Sequence, residues 1–350
     1  MVKRFAFAVP GDLATPTGGY AYDRRMIAEL ADLGWQIDLL DLGEGFPWPD
    51  EPTRAAASAK LREVPAGRVI VVDGLALGVL PEAASQLADR NPLLALVHHP
   101  LALEAGLSPA QADALRESER AALASVQGVV VTSAVTARLV AADYGVAEQR
   151  IMVARPGSDP APPAHRSQDG VVRLLAVGAI VPRKGFDVLM AALATLTDLP
   201  WHLSIAGDRS RDSDAAARLD ADIAAHALQD RVTVLGAVPS QHLAKLYTES
   251  DMFVLASHFE GYGMAYAEAI AHGLPVIGST GGAIPDTVPP QAGLLVPPGD
   301  IAALAGALRR VIGDAALRQT LASGARAAAL QLPSWRQSAE VFARALERLA

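Results

Sequence analysis

The chain reads as an α/β protein of two halves, each a parallel, doubly wound sheet. Short apolar runs of strand length, such as Arg4 to Val9, Leu93 to His98 and Val172 to Val177, alternate with helical segments along the chain, and strands joined by helices form parallel sheets with helices on both faces. Several of these runs empty into glycine-bearing loops, the place where open α/β sheets make ligand contacts. A stretch poor in apolar residues and rich in breakers, RPGSDPAPPAHRSQDG over 155–170, separates two such series and reads as an exposed linker. A length of 350 residues fits two domains of ordinary size, placed at 1–160 and 171–333.

In the first half, Arg4 to Val9 is a strand, 10–19 a loop rich in Gly, Pro and Thr, and Tyr20 to Leu33 a helix closed by Gly34. Gln36 to Leu42 returns as a strand, which completes a βαβ unit. Further strands are expected at Arg68 to Asp73, Leu93 to His98, Gly128 to Thr132 and Ile151 to Ala154. Ser108 as N-cap, Pro109 at the first helical position and Gln111 three residues on form a capping box for a helix to Ser125. In the second half, strands at Val172 to Val177, His202 to Ala206, Val232 to Leu235, Met252 to Leu255 and Pro275 to Gly278 alternate with helices near 185–195, 212–227 and 240–249. Another capping box, SWRQ, opens a last helix at Ser334 with Trp335, Val341, Phe342, Leu346 and Leu349 as its apolar positions. No short-period repeat is visible, which disfavours a solenoid.

Composition narrows the function. The chain is 51% hydrophobic and 19% charged, as in soluble globular proteins, and its apolar runs are too short to span a membrane. The N-terminus lacks the apolar core and cleavage site of a signal peptide, so a cytoplasmic location is expected. A net charge of −8 argues against a nucleic-acid partner but not against a nucleotide, for which a few local cations suffice. The lack of cysteine excludes disulfides and thiolate chemistry. The 8 histidines show no H-E-x-x-H spacing, and neither a G-x-S-x-G elbow nor a G-x-x-x-x-G-K-[ST] loop occurs. A glycosidase would use paired carboxylates too, but has no need of a phosphate seat between them.

That seat lies in FVLASHFEGYGMAYAEAIAHGLPVIGSTGG, from Phe253 to Gly282. A buried strand leads through Gly261, Tyr262 and Gly263 to a helix beginning at Met264, whose unpaired amides and dipole suit a phosphate. Glu260 and Glu268 frame the turn; a carboxylate repels phosphate and accepts hydrogen bonds, so each should meet sugar hydroxyls. Arg183 and Lys184 in GAIVPRKGFDVLMAAL, which opens at Gly178, supply the local positive charge for a diphosphate. Gly18 and Gly19 in TPTGGYAYDRR sit between strand and helix, a position equally suited to a tight turn needing small residues. Their spacing is not the G-x-G-x-x-G of dinucleotide enzymes. His98 and His99 end a strand before Pro100; such histidines are often structural, although the strand end faces the crevice.

The two glutamates with seven residues between them, followed by AIAHGLPVIGSTGGAIPD and later GLLVPPGD, closely resemble the signature of family-4 retaining glycosyltransferases of the GT-B architecture. The resemblance implies two Rossmann-like domains with parallel sheets facing across a cleft, and a final helix, 334–350, that packs back on the first domain. It implies transfer of a sugar, with retention of anomeric configuration and without a bound metal or other cofactor, from a UDP- or GDP-linked donor to an unidentified acceptor. By the same resemblance Arg183 and Lys184 clamp the donor diphosphate, Glu268 binds the ribose, Glu260 and His98 touch the donor sugar, and Gly18 and Gly19 face the donor phosphates and acceptor. Gly207, Asp208 and Val238 line the base, and Gly261 to Met264 offer amides. Asp286 departs from the family, many of whose members carry Glu there. Lipid acceptors used by some relatives would put the enzyme at the inner membrane face, yet no strongly basic amphipathic helix is visible. Rival readings are another GT-B enzyme, such as an epimerase or phosphorylase, and a non-catalytic nucleotide-sugar-binding subunit.

Overall fold

In the computed structural model, residues 3–104, 106–165 and 169–349 are described. The chain divides into two compact units, one of residues 1–157 with 333–350 and one of residues 158–332. Part of the expected linker, 166–168, lies outside the described residues.

The first unit holds β1 (Arg4–Val9), β2 (Gln36–Asp41), β3 (Ile70–Asp73), β4 (Leu93–Val97), β5 (Gly128–Val131) and β6 (Ile151–Val153), hydrogen-bonded in the order β2-β1-β3-β4-β5-β6. All pairings are parallel, from Arg4↔Gln36 at one edge to Val131↔Val153 at the other. β3, β4 and β5 are buried at every position, so they need apolar residues on both faces, which is why they read as unbroken Val, Ile and Leu runs. The helix Trp335–Glu347 belongs to this unit: Trp335 meets Tyr22 at 6.0 Å between ring centroids, Arg25 stacks over Trp335 at 5.1 Å, and Lys3 pairs with Glu347 at 2.6 Å.

The second unit holds β7 (Val172–Val177), β8 (Trp201–Ala206), β9 (Val232–Gly236), β10 (Met252–Leu255), β11 (Val276–Ser279) and β12 (Gly293–Val296), ordered β12-β11-β10-β7-β8-β9 and again parallel. Its core runs through the same pattern, with Leu174, Leu203, Phe253 and Ile277 from the strands against Leu189, Ile270, Leu308 and Val311 from the helices.

The two sheets share one consequence of their order. Chain direction reverses across the sheet between β1 and β3 in the first and between β7 and β10 in the second, which opens a crevice at the carboxyl ends of those strands. The loops after β1, β3, β7 and β10 are therefore the ones placed for ligands.

Sequence expectations differ from the structure in a few places. The double glycine is not in the loop: the helix runs Gly18–Asp32, because Thr17 in extended conformation caps it by accepting from the Tyr20 amide at 3.3 Å. β12 went unassigned, its four residues Gly293–Val296 being a short run followed by prolines. So did the helices Glu51–Glu63, Ala134–Tyr144, Ile301–Gly313 and Ala315–Ala329, whose alanine content blurs the apolar stripe.

Candidate functional site

At the reversal point of the second sheet, three side chains that are far apart in sequence converge. The loop after β7 turns through a single 3-10 turn, Pro182–Lys184, and directs Arg183 and Lys184 toward the loop after β10. Lys184 Nζ lies 2.6 Å from Glu260 Oε1, and Arg183 donates to Glu260 Oε2 at 3.1 Å and to the Phe259 carbonyl at 2.8 Å. The Ser257 hydroxyl donates to Glu260 Oε1 at 2.7 Å. The three ionic side chains keep only 15%, 14% and 8% of their surface exposed for Arg183, Lys184 and Glu260. Burial alone would raise the Glu260 carboxyl; Lys184 and Arg183 overcome it and hold the group at about 2. The cluster is thus one carboxylate between two cations, with net positive charge.

This alters the picture of Glu260. A carboxylate has roughly four lone-pair sites, and Lys184, Ser257 and Arg183 take up three of its contacts. Its structural work is to hold the two cations; one acceptor direction is left for a ligand hydroxyl.

Glycines make this packing feasible. Gly178 leaves room for the Lys184 stem, since a Cβ there would come within 3.1 Å of Lys184 Cε. Gly263 has φ +90°, a left-handed conformation that turns the chain into the helix Met264–Ala271, and no side chain caps that helix. Its first amides and positive dipole end thus stand beside Gly261 and Tyr262 in the same loop as Glu260. Glu268, on the second turn, accepts a hydrogen bond from Tyr247 at 2.8 Å; burial raises its carboxyl and the tyrosine offsets this in part. Tyr247 in turn stacks on His272 at 5.1 Å.

The loops after β7, β8 and β9 are stitched into one ledge. Gly178 N donates to the Ala206 carbonyl at 3.0 Å, Gly207 N to the Gly236 carbonyl at 2.9 Å and Ile180 N to the Asp208 carbonyl at 2.8 Å. The Asp208 side chain is occupied in its own turn, accepting from Ser210 N and Oγ, each at 2.8 Å. Val238 is half-buried just before the helix Ser240–Thr248. Gly178, Gly207, Asp208 and Val238 therefore line one side of the second unit, while Gly18, Gly19 and His98 lie in the first unit.

At the reversal point of the first sheet the charges are inverted. His98, after β4, turns Nε2 toward Asp23 Oδ1 at 3.1 Å and Asp73 Oδ2 at 3.5 Å. Asp23 rides on the helix after β1, Asp73 ends β3, and both are buried. Gly19 lies against the imidazole, 3.4 Å from Cδ2 for a Cβ placed there, and Tyr22 meets it edge-on at 5.3 Å. His99 faces elsewhere, with Nε2 3.2 Å from Glu104. Each of the three offers a ligand atom within 4.8 Å of the others. A 3.1 Å N···O contact requires a proton between its atoms, so the nitrogen facing the acids serves as an N–H donor and has no lone pair to give a metal.

Sequence reasoning singled out His98, Arg183, Lys184, Glu260 and Glu268 but missed Asp23, Asp73, Ser257 and Tyr247. Asp73 carried a readable signal, since it ends an apolar run at the carboxyl edge of a sheet. Asp23 carried none, being one acid in a polar helical stretch.

Residues 159–328 match the family described as glycosyl transferases group 1. This chain carries a group 1 glycosyltransferase domain. Across nearly its whole length, 94%, the glycosyltransferase is 26% identical to the MMP alpha-(1->4)-mannosyltransferase of Mycolicibacterium hassiacum, of which the match covers 84%. In fold it is similar to the sucrose-phosphate synthase from Thermosynechococcus elongatus, with a TM-score of 0.84, 23% identity and 99% of each chain covered. Anabaena HepE in complex with UDP and glucose gives a TM-score of 0.77 at 20% identity, over 97% of this chain and 99% of that one. The glycosyltransferase fold is GT-B. No helix among its described residues is long and apolar enough to cross a membrane.

Proposed function

We propose that this glycosyltransferase moves a sugar from a nucleoside-diphosphate sugar to a hydroxyl acceptor with retention at the anomeric carbon, using no metal. The observation that carries this reading is the Arg183–Glu260–Lys184 cluster beside the uncapped helix start at Gly263. When the bond from C1 of the sugar to the diphosphate breaks, negative charge grows on the leaving phosphate. Fixed cations and helix amides stabilise that charge more than the ground state, which is how they lower the barrier. Lys184 has further N–H donors beyond the one that meets Glu260, and Arg183 likewise, so both can hold phosphate oxygens while Glu260 fixes their positions.

Glu268, backed by Tyr247, is assigned to the ribose hydroxyls, and the remaining acceptor direction of Glu260 to a sugar hydroxyl. The ledge of Gly178, Gly207, Asp208 and Val238 is assigned to the base, and Gly18 and Gly19 to the acceptor side. His98 is assigned to the transferred sugar. The acceptor oxygen forms the new bond to C1 on the face the phosphate leaves, and its proton passes to that phosphate. UDP is the first nucleotide to test, because the HepE structure of like fold is a UDP complex. Incubating the protein with UDP- and GDP-sugars and a panel of hydroxyl acceptors, with product linkage read by NMR, tests the reading. Retained configuration without added divalent metal is expected. An inverted product, or turnover only with metal, would overturn it.

A further inference from the structure

The His98 cluster contains two acids and a single group able to offset them. Asp23 is fully buried and Asp73 is 3% exposed, and among the described residues neither is paired with lysine or arginine. Asp73 Oδ1 accepts from the Leu75 amide at 2.7 Å, while Asp23 Oδ2 has no hydrogen-bond partner. Two buried carboxylates without a cation would bear a large desolvation cost. His98 supplies that cation through Nε2–H, which lies between the two acids.

The ring is also held in place. Tyr22 meets it at 83°, Gly19 packs on its edge, and Thr132 donates to the His98 carbonyl at 3.0 Å. The groups around it are accounted for: Asp23 and Tyr22 come from the helix after β1 and Asp73 from β3, while neighbouring His99 is turned to Glu104. Tyr22 donates its hydroxyl to the Ala154 carbonyl at 3.0 Å and stays neutral. With Nε2 committed, Nδ1 makes no hydrogen bond to a described residue, and the side chain retains 21% exposure.

We propose that Asp23 and Asp73 are positioning residues that keep His98 an imidazolium, so that Nδ1–H donates a hydrogen bond to an oxygen of the transferred sugar. A neutral ring holding its proton on Nε2 would present a lone pair at Nδ1 instead. The acids thus decide whether His98 donates or accepts, and they remove it as a candidate base. The sugar contact rests on the transferase reading; the charge on the ring does not. Burial lowers the imidazole, but Asp23 and Asp73 outweigh it and push His98 up to about 10. Burial raises Asp23 to about 7, with His98 opposing, and Asp73 supplies the countercharge when Asp23 takes a proton.

Long-range proton–nitrogen NMR of the full chain with 15N-histidine, titrated with pH, tests this, with His98→Gln assigning the signal. Both ring nitrogens of His98 are expected to be protonated at about pH 8, and the midpoint to fall by about 1–3 pH units in Asp23→Asn and in Asp73→Asn. In Asp73→Asn, turnover lost at about pH 8 should return at about pH 6, with donor KM unchanged, a rescue that a folding defect would not show. A ring already neutral at about pH 8 in the native chain would overturn the proposal, as would unmoved midpoints in both variants. Signals of His98 that respond to Zn²⁺ or Mn²⁺ as direct ligation would mark a cation site and overturn it too. The spectra need no substrate, so failed sugar transfer with a charged His98 would strike the transferase reading alone.

Discussion

The two units carry opposite charge triads at equivalent places. At the reversal point of the second sheet one acid, Glu260, lies between two cations; at that of the first, one histidine lies between two acids. The same topology thus builds a net positive seat in one unit and a net negative one in the other. Each fits its partner chemistry: a diphosphate needs cations, whereas a sugar with its hydroxyls needs a directed donor held by acids that do not themselves contact phosphate. In both, the buried central group takes its charge state from two neighbours on other elements. Removing one member should therefore do more harm than the loss of a surface ion pair.

The largest expected break is Glu260→Gln. It leaves Arg183 and Lys184 buried without a countercharge, and unpairing such groups costs about 3–5 kcal/mol, read as a lowered Tm and denaturant midpoint. An unchanged midpoint would mean the triad is not held as a unit. Next is Lys184→Ala, expected to lower kcat by about 10²–10³-fold, because its charge acts on the leaving phosphate. A rise in donor KM alone would place Lys184 in ground-state binding. Glu268→Ala should show the opposite split, with donor KM raised about 10-fold and kcat nearly kept. Tyr247→Phe removes only the hydrogen bond to Glu268, worth about 1 kcal/mol, and should raise donor KM about fivefold.

pH separates the units in direction. Glu260 is held below its ordinary value of 4.5, so its contribution is complete above that pH and is lost as pH falls toward about 2. His98 is held above its ordinary 6.5, so its contribution is complete below that pH and is lost as pH rises through about 10. Hydrogen exchange resolved by residue should find acid loosening the β7 and β10 loops first and alkali loosening the ends of β3 and β4. The same loops opening first at both extremes would dissolve the contrast.

Much of the fold was legible because parallel strands are buried on both faces and announce themselves as apolar runs; β1, β7 and β10 match their expected bounds. The capping boxes at Ser108 and Ser334 are local chemistry and were equally readable. What sequence could not show is pairing across distance. Arg183 meets Glu260 from 77 positions away and His98 meets Asp23 from 75, and only the strand order brings them together. Glu260 was thus assigned to a sugar before its two cations were seen around it. Tyr247 escaped notice because a tyrosine on an apolar face reads as core, which it also is.

Calorimetric titration of the full chain with UDP, GDP and ADP, repeated with Lys184→Ala, tests the central claim most directly. Saturable binding of one nucleotide, weakened about 10-fold or more in the variant, is the result the positive triad requires. No binding of any nucleoside diphosphate, or equal binding by the variant, would contradict it.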